Sequence, residues 1–204
     1  MEVIFASQNK GKIKEVKKIF EDSSIKIISL DELGFSKDIE ETGKTFEENA
    51  FIKAKELYEE FKKPVIADDS GLMVEQLNGE PGVYSARYAG ENCNYDDNNL
   101  KLLKELANYS KPHRAKFVCC AVYFDSLKQI SEFGFLEGEI IDEARGKNGF
   151  GYDPIFVPNN LNDNKTLAEL TLEEKTKISH RKKAFEKLKI HLMKELIESN
   201  QISS

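Results

Sequence analysis

The sequence predicts an α/β protein with a mixed sheet flanked by helices and a second lobe built around a β-hairpin. Three observations predict it. From Val3 to Val74, apolar runs of strand length alternate with stretches of helical period. Two long apolar-rich runs then flank the short link Ser126-Leu127-Lys128, as a hairpin does. After Thr171 the spacing is helical again. The chain has 204 residues, 40% of them hydrophobic, enough for one domain or two closely joined lobes with a real core.

Val3 to Ala6 reads as a buried strand, broken by Ser7 to Asn9. A helix follows, with Ile13, Val16 and Phe20 on one face. Ile25 to Ile28 is the next strand. Leu30 to Gly43 is a long polar connection, and connections of that length often carry function. Thr45 and Glu48 form a capping box. Behind it Phe46, Ala50, Ala54, Leu57 and Phe61 repeat at helical spacing until Pro64. Val65 to Asp68 is a short strand entering a turn at Asp69-Ser70-Gly71, and Leu72 to Val74 is a further strand. Asn78 to Asn92 is expected as an ordered loop. Asn94 to Asn108 is expected as a helix with Leu100, Leu103 and Ala107 inward. Lys116 to Asp125 and Gln129 to Ile141 are the hairpin strands. Both faces of Phe117 to Phe124 are apolar, so that strand is expected at the centre of the sheet. Gly146 to Tyr152 is glycine-rich, and Ile155 to Val157 is a short strand. Thr171 and Glu174 form a second capping box, and the final helix carries Phe185, Leu188, Leu192 and Leu196 on one face.

The net charge is -6 and the pI about 5.3. An acidic balance gives no help in holding a polyanion, so a nucleic acid polymer is not an expected partner. A small anion in a local basic pocket remains compatible with it. Cys93, Cys119 and Cys120 have no CxxC spacing and read as reduced thiols of a cytoplasmic protein. There is no basic leader and no run of the roughly 18 apolar residues that span a bilayer, so neither export nor a membrane is expected. His113 and His191 have no partners in sequence and read as surface residues.

Four constellations can carry chemistry. Ser7-Gln8-Asn9-Lys10-Gly11-Lys12 lies where a strand meets a helix. Free amides, the positive end of the dipole and two lysines would cradle phosphates there. An ordinary N-cap with solvated lysines fits these residues too. Glu40-Glu41 and Asp68-Asp69 are acidic pairs in or beside loops. Oxygen ligands of that kind suit magnesium with nucleotide phosphates, although acidic residues populate turns anyway. Gly149 to Pro154 sets two aromatics among glycines, either a stacking surface or a turn with core rings. Ser179-His180-Arg181, with Lys175 a turn earlier, offers donors for a base carbonyl or a solvated helix junction. Gly43-Lys44-Thr45 is not the tail of a P-loop. Asp38 stands where the first glycine belongs, and Glu40 and Glu41 would repel phosphate.

Together with Pro81 to Tyr88 and the segment Ala67 to Leu72, these segments resemble the inosine triphosphate pyrophosphatase family, hydrolases that clear non-standard purine nucleotides. They occur in the family's order from residue 7 to residue 181. The resemblance implies an elongated α/β fold in which residues 1–204 form a single domain of two lobes. The active-site cleft would lie between the lobes, and the protein would usually be a homodimer. It implies that Asp69 is the catalytic residue and a magnesium ligand. The second ligand would come from Glu40-Glu41, with Glu40 the better match. It implies substrate contacts at Ser7, Gln8, Asn9, Lys10, Gly11, Lys12, Ser70, Phe150, Gly151, Tyr152, Asp153, Lys175, His180 and Arg181. Ser7 stands where the family commonly has threonine, and keeps the hydroxyl.

The implied activity is cytoplasmic hydrolysis of inosine, deoxyinosine or xanthosine triphosphate to the monophosphate and pyrophosphate. Phe150 would stack on the base, and His180 and Arg181 would donate to a 6-keto oxygen. Adenine carries an amino group there and would leave buried donors unpaired, at about 1–3 kcal/mol each. Guanine shares the keto oxygen, so its rejection must depend on the 2-position.

Overall fold

A computed structural model describes residues 1–161 and 163–202. The domain expected over residues 1–204 therefore ends outside the described residues. Six strands form one mixed sheet: β1 (Glu2–Phe5), β2 (Lys26–Ser29), β3 (Val65–Val74), β4 (His113–Phe124), β5 (Gln129–Ile140) and β6 (Phe156–Pro158). Their order is β2-β1-β3-β4-β5-β6. The helices are α1 (Lys10–Phe20), α2 (Phe46–Phe61), α3 (Tyr95–Leu106), α4 (Leu172–Ile178) and α5 (His180–Ile202). β1 runs parallel to β2, with Val3 opposite Ile27, and parallel to β3, with Ile4 opposite Val65. Parallel neighbours require crossovers, and α1 and α2 lie on those connections. β5 pairs antiparallel with β6, Glu139 opposite Val157.

The chain divides into two compact units. One comprises Met1–Asp69, Cys119–Gly134 and the chain from Arg181 onward; the other comprises Ser70–Val118 and Phe135–His180. In the first unit Val3, Phe5, Val16, Phe20, Ile66, Cys119 and Phe185 close a core, and Phe185 meets Phe5 and Phe20 edge-on. The expected stripe of α5 is found: Phe185, Leu188 and Leu192 are buried, with Leu196 packed against them. The capping box at Thr45 and Glu48 starts α2, and Lys62 in the left-handed region ends it before Pro64. β4 is central and buried, and Asp125 closes the hairpin by accepting from the Leu127 and Lys128 amides at 2.7 and 2.8 Å. The second unit has its own core around Leu72, Leu102, Leu106, Phe117, Phe156 and Leu167.

Three expectations are corrected. The turn at Asp69-Ser70-Gly71 does not exist: β3 is one strand of 10 residues through it. The turn preference of Asp and Gly is overridden because helices on both faces of the strand supply donors to the two carboxylates. α3 buries Asn98, Asn99, Leu102 and Leu106, while Leu100 is 68% exposed. Asn98 is tied to Ala86 O and the Ala89 amide, and these bonds set the rotation of the helix. An apolar periodicity that treats asparagine as outward misses it. His113 is buried, because it opens β4 on the inward side shared with Ala115 and Phe117.

No helix among the described residues is long and apolar enough to cross a membrane. Cys93, Cys119 and Cys120 form no disulfide.

Candidate active site

The first unit gathers the predicted phosphate segment and the acidic residues. β1 ends at Phe5, and Asn9 caps α1. Asn9 Oδ1 accepts from the Gly11 and Lys12 amides at 2.9 and 3.1 Å, and Ser7 Oγ accepts from the Asn9 amide at 3.2 Å. Gln8 donates to Lys37 O at 3.3 Å, and Lys10 and Gly11 are exposed. Lys12 turns back to Asp68, with Nζ 3.0 Å from Oδ2.

Successive side chains of a strand point to opposite faces, so Asp68 and Asp69 diverge. Asp68 shares the face of Ile66. There it meets Lys12 of α1 and Arg181 of α5, whose Nε is 3.2 Å away. The same guanidinium reaches Glu15 of α1, with NH1 2.8 Å from Oε2. Asp68, Glu15 and Arg181 are all buried. Asp69 faces α2 and accepts from Asn49 Nδ2 at 3.1 Å. Asn49 Oδ1 in turn accepts from the Gly43 amide at 2.8 Å. A Cβ on Gly43 would stand 2.7 Å from that oxygen, so only glycine allows this approach. One helical turn beyond Asn49, Lys53 binds Glu41 at 2.7 Å. Glu40 is exposed.

Burial raises the pKa of Asp69; Lys53, Lys12 and the Asn49 amide pull it down, Glu41 pushes it up, and the balance lies above the usual aspartate value. Burial acts to lower Lys53, but Asp69, Glu41 and Asp68 outweigh it, and Lys53 stays firmly protonated. Arg181 behaves likewise: burial opposes its charge, and Asp68 and Glu15 more than restore it. The contacts thus bring four carboxylates (Glu15, Glu41, Asp68, Asp69) to three cations (Lys12, Lys53, Arg181). Burial pushes Asp69 toward protonation. A divalent cation beside Asp69 would favour its ionised form, and oxygen donors are the type magnesium takes. Among the described residues no group of three or more His, Cys, Asp or Glu side chains is arranged as a ready metal cage. Magnesium needs none, since it is commonly held by one or two carboxylates together with substrate phosphates.

The second unit gathers the aromatic segment. Asp153 Oδ2 accepts from the Phe150 amide at 2.7 Å and pairs with Lys175 of α4. Gly149 has φ +77°, and a Cβ there would meet Asp153 Oδ2 at 2.0 Å, so the loop closes only with glycine at this position. Phe150 is half-buried, and Lys175 Nζ lies 4.8 Å from its ring centroid. Gly151 has φ +64°. Tyr152 is buried and donates to Ser85 O at 3.0 Å. Ser85, from the Pro81–Tyr88 segment, accepts from the Leu72 amide at 2.9 Å and so anchors that segment to β3. Ser70 is half-buried, Ser179 is buried at the end of α4, and the His180 ring stacks on Phe117 at 5.0 Å.

Sequence reasoning missed Asn49, Lys53 and Glu15. The signal was present. Asn49 and Lys53 interrupt the apolar stripe of α2, and Glu15 interrupts that of α1; a polar residue on a buried stripe needs a partner.

A mixed α/β sheet that carries Asp68 and Asp69 side by side, with Lys12 from a capped helix start on Asp68, has donor types that suit a cation and a small anion. Residues 3–191 match the model of the Ham1 family, and the chain belongs to that family. It is 52% identical over 200 residues to the dITP/XTP pyrophosphatase of Thermoanaerobacter pseudethanolicus, covering 97% of this chain and 100% of that one. Among solved structures, the Staphylococcus aureus Ham1 protein is similar with a TM-score of 0.85 and 47% identity, over 96% of this chain and 100% of that chain. A HAM1 protein from Coxiella burnetii has a TM-score of 0.87 and 42% identity, over 95% and 99%.

Proposed function

We propose that this chain hydrolyses non-standard purine nucleoside triphosphates, those of inosine, deoxyinosine and xanthosine, to the monophosphate and pyrophosphate. The observation that carries the proposal is the carboxylate pair Asp68-Asp69, with Lys12 from the capped start of α1 3.0 Å from Asp68 and Asp69 buried against Asn49 of α2. Relatives half identical over nearly the whole chain bear the name dITP/XTP pyrophosphatase and support the substrate class.

In the reaction a water oxygen bonds to the α-phosphorus and the bond from that phosphorus to the α–β bridging oxygen breaks. Pyrophosphate leaves, and the water proton must be accepted. Asp69 is assigned as acceptor and orienter, a role its raised pKa suits. Magnesium would be held by Asp69 with a carboxylate of the Glu40-Glu41 segment: Glu40 is exposed to solvent, and Glu41 shares Lys53 with Asp69. Bound there, the cation would neutralise charge on the phosphate oxygens. Ser7 to Lys12 take phosphates, and Ser70, next to Asp69 in sequence, is assigned to the substrate with them. Phe150 stacks on the base, and Gly151, Tyr152, Asp153 and Lys175 build the support for its ring. His180 and Arg181 are assigned to the 6-keto oxygen. The same reading holds the protein to be a cytoplasmic homodimer, in keeping with the family pattern and with three cysteines outside any disulfide.

A pyrophosphate-release assay over a panel of nucleotides, with and without magnesium, tests the reading. Release from inosine and xanthosine triphosphates, at rates far above adenosine triphosphate and only with the metal, is expected. Equal rates for all purines would remove the proposed specificity.

A further inference from the structure

α3 touches the Phe150 loop twice from one face. Tyr95 is its first residue and Asn99 lies one turn later, the spacing that puts two side chains on the same side of a helix. Asn99 is 7% exposed and donates from Nδ2 to Gly151 O at 3.1 Å. That bond grips the loop at a glycine with φ +64°, the point where its backbone is least constrained by a side chain. Tyr95 is different. Its ring is 46% exposed, and its centroid stands 6.2 Å from that of Phe150 with the planes inclined at 38°. A large ring left this exposed at a helix start adds little to the core. Beside Phe150 it widens an aromatic surface.

We infer that Tyr95 is a second aromatic surface for the nucleobase, continuing the platform of Phe150, and that Asn99 is a positioning residue that holds the platform's loop. The inference rests on the reading of Phe150 as the base-stacking residue. Two tilted rings make a shallow trough, and a fused purine lying against Phe150 would also meet Tyr95. Lys175 already fixes the Phe150 ring from within the loop's own support. Tyr95 and Asn99 complete that support from α3.

The test is calorimetric binding of inosine monophosphate, ribose 5-phosphate and inorganic tripolyphosphate to the full-length protein and its variants. Tyr95→Ala is expected to weaken inosine monophosphate about tenfold, at the low end of what a base stacked on an aromatic ring contributes. Ribose 5-phosphate and tripolyphosphate, which have no base, keep their affinities. Tyr95→Phe restores the inosine monophosphate affinity, since the ring and not the hydroxyl acts. Asn99→Ala weakens inosine monophosphate while leaving tripolyphosphate unchanged. Wild-type affinity for inosine monophosphate in Tyr95→Ala overturns the inference, and so does an equal loss for all three ligands. Two controls separate it from the proposed activity. If Phe150→Ala binds inosine monophosphate normally, both the stacking assignment and this inference fall. If wild-type protein releases no pyrophosphate from inosine triphosphate while monophosphate binding still depends on Tyr95, the hydrolase reading alone falls.

Discussion

Asn49 joins the acidic loop to the strand: its Nδ2 donates to Asp69 Oδ2 at 3.1 Å while its Oδ1 accepts from the Gly43 amide at 2.8 Å. One amide therefore sets the distance between the Glu41 segment and Asp69. Asn49→Leu is expected to keep the helix but release this hold. Residues that orient metal-binding side chains typically alter metal affinity about 10–100-fold. The magnesium concentration for half-maximal pyrophosphate release should rise by that factor. An unchanged magnesium dependence would separate Asn49 from the metal site.

Asp69→Asn should nearly abolish turnover, by about 10²–10⁴-fold in kcat, the usual contribution of a positioned acid or base. Stability should behave in the opposite way. The pKa of folded Asp69 lies above its ordinary 3.8, so the folded chain binds this proton more tightly than the unfolded chain. The stability it contributes is therefore greatest below 3.8 and is lost as pH rises to the folded value. At neutral pH the ionised carboxylate is a net cost that asparagine removes. Melting at pH 7 without divalent metal should show Asp69→Asn at least as stable as the parent. A marked drop in Tm would show that Asp69 is held mainly by its ion partners.

Lys53 pulls the Asp69 pKa down, against burial. Lys53→Met should therefore move the acid limb of kcat/KM to higher pH, because Asp69 must be ionised to act. A pH–rate profile on both proteins decides it, and coincident limbs would detach Lys53 from the catalytic carboxylate.

Much of the fold was legible because local signals agreed with the tertiary outcome. The capping boxes at Thr45 and Thr171, the stripe of α5 and the central hairpin strand all stand as the spacing predicts. The errors have one cause. Asp69-Ser70-Gly71 has turn chemistry, and Asn98 and Asn99 look outward, until partners distant in sequence satisfy them. The candidate site follows the same division. Asn9 as helix cap and the Phe150 loop could be read locally. The Lys53–Glu41 and Arg181–Glu15 pairs could not, since the first needs α2 beneath a loop and the second spans 166 residues.

Lys12→Ala should weaken triphosphate binding far more than monophosphate binding. Lys12 Nζ stands 3.0 Å from Asp68, but Asp68 also has Arg181 at 3.2 Å, so the fold does not depend on Lys12 alone. Hydrogen bonds to charged groups contribute about 1.5–3 kcal/mol, which corresponds to roughly 10–100-fold in affinity. Calorimetry with a non-hydrolysable inosine triphosphate and with inosine monophosphate measures the two losses. Equal losses would show that Lys12 does not read the added phosphates.

Arg181 carries the most demanding expectation, because two roles meet in one guanidinium. Its Nε and NH1 contacts to Asp68 and Glu15 fix the plane of the group in a site only 3% exposed. A guanidinium has five N–H donors in a rigid fork. Fixing the plane would orient the fork toward a keto oxygen without further ordering when substrate binds. Arg181→Ala should therefore do two things. Leaving Asp68 and Glu15 buried without that cation should cost about 3–5 kcal/mol, read as a fall in Tm or in the denaturant midpoint. Glu15→Gln in the same background should recover part of the loss, since it removes one stranded charge. The ratio of kcat/KM for inosine triphosphate to that for adenosine triphosphate, measured well below the lowered Tm, should fall about 10–100-fold. Arg181→Lys separates the roles: the charge remains and much of the stability with it, but the fork is gone and the selectivity should still fall. A destabilised Arg181→Ala with its selectivity intact would confine Arg181 to holding Asp68 and leave the keto oxygen to His180.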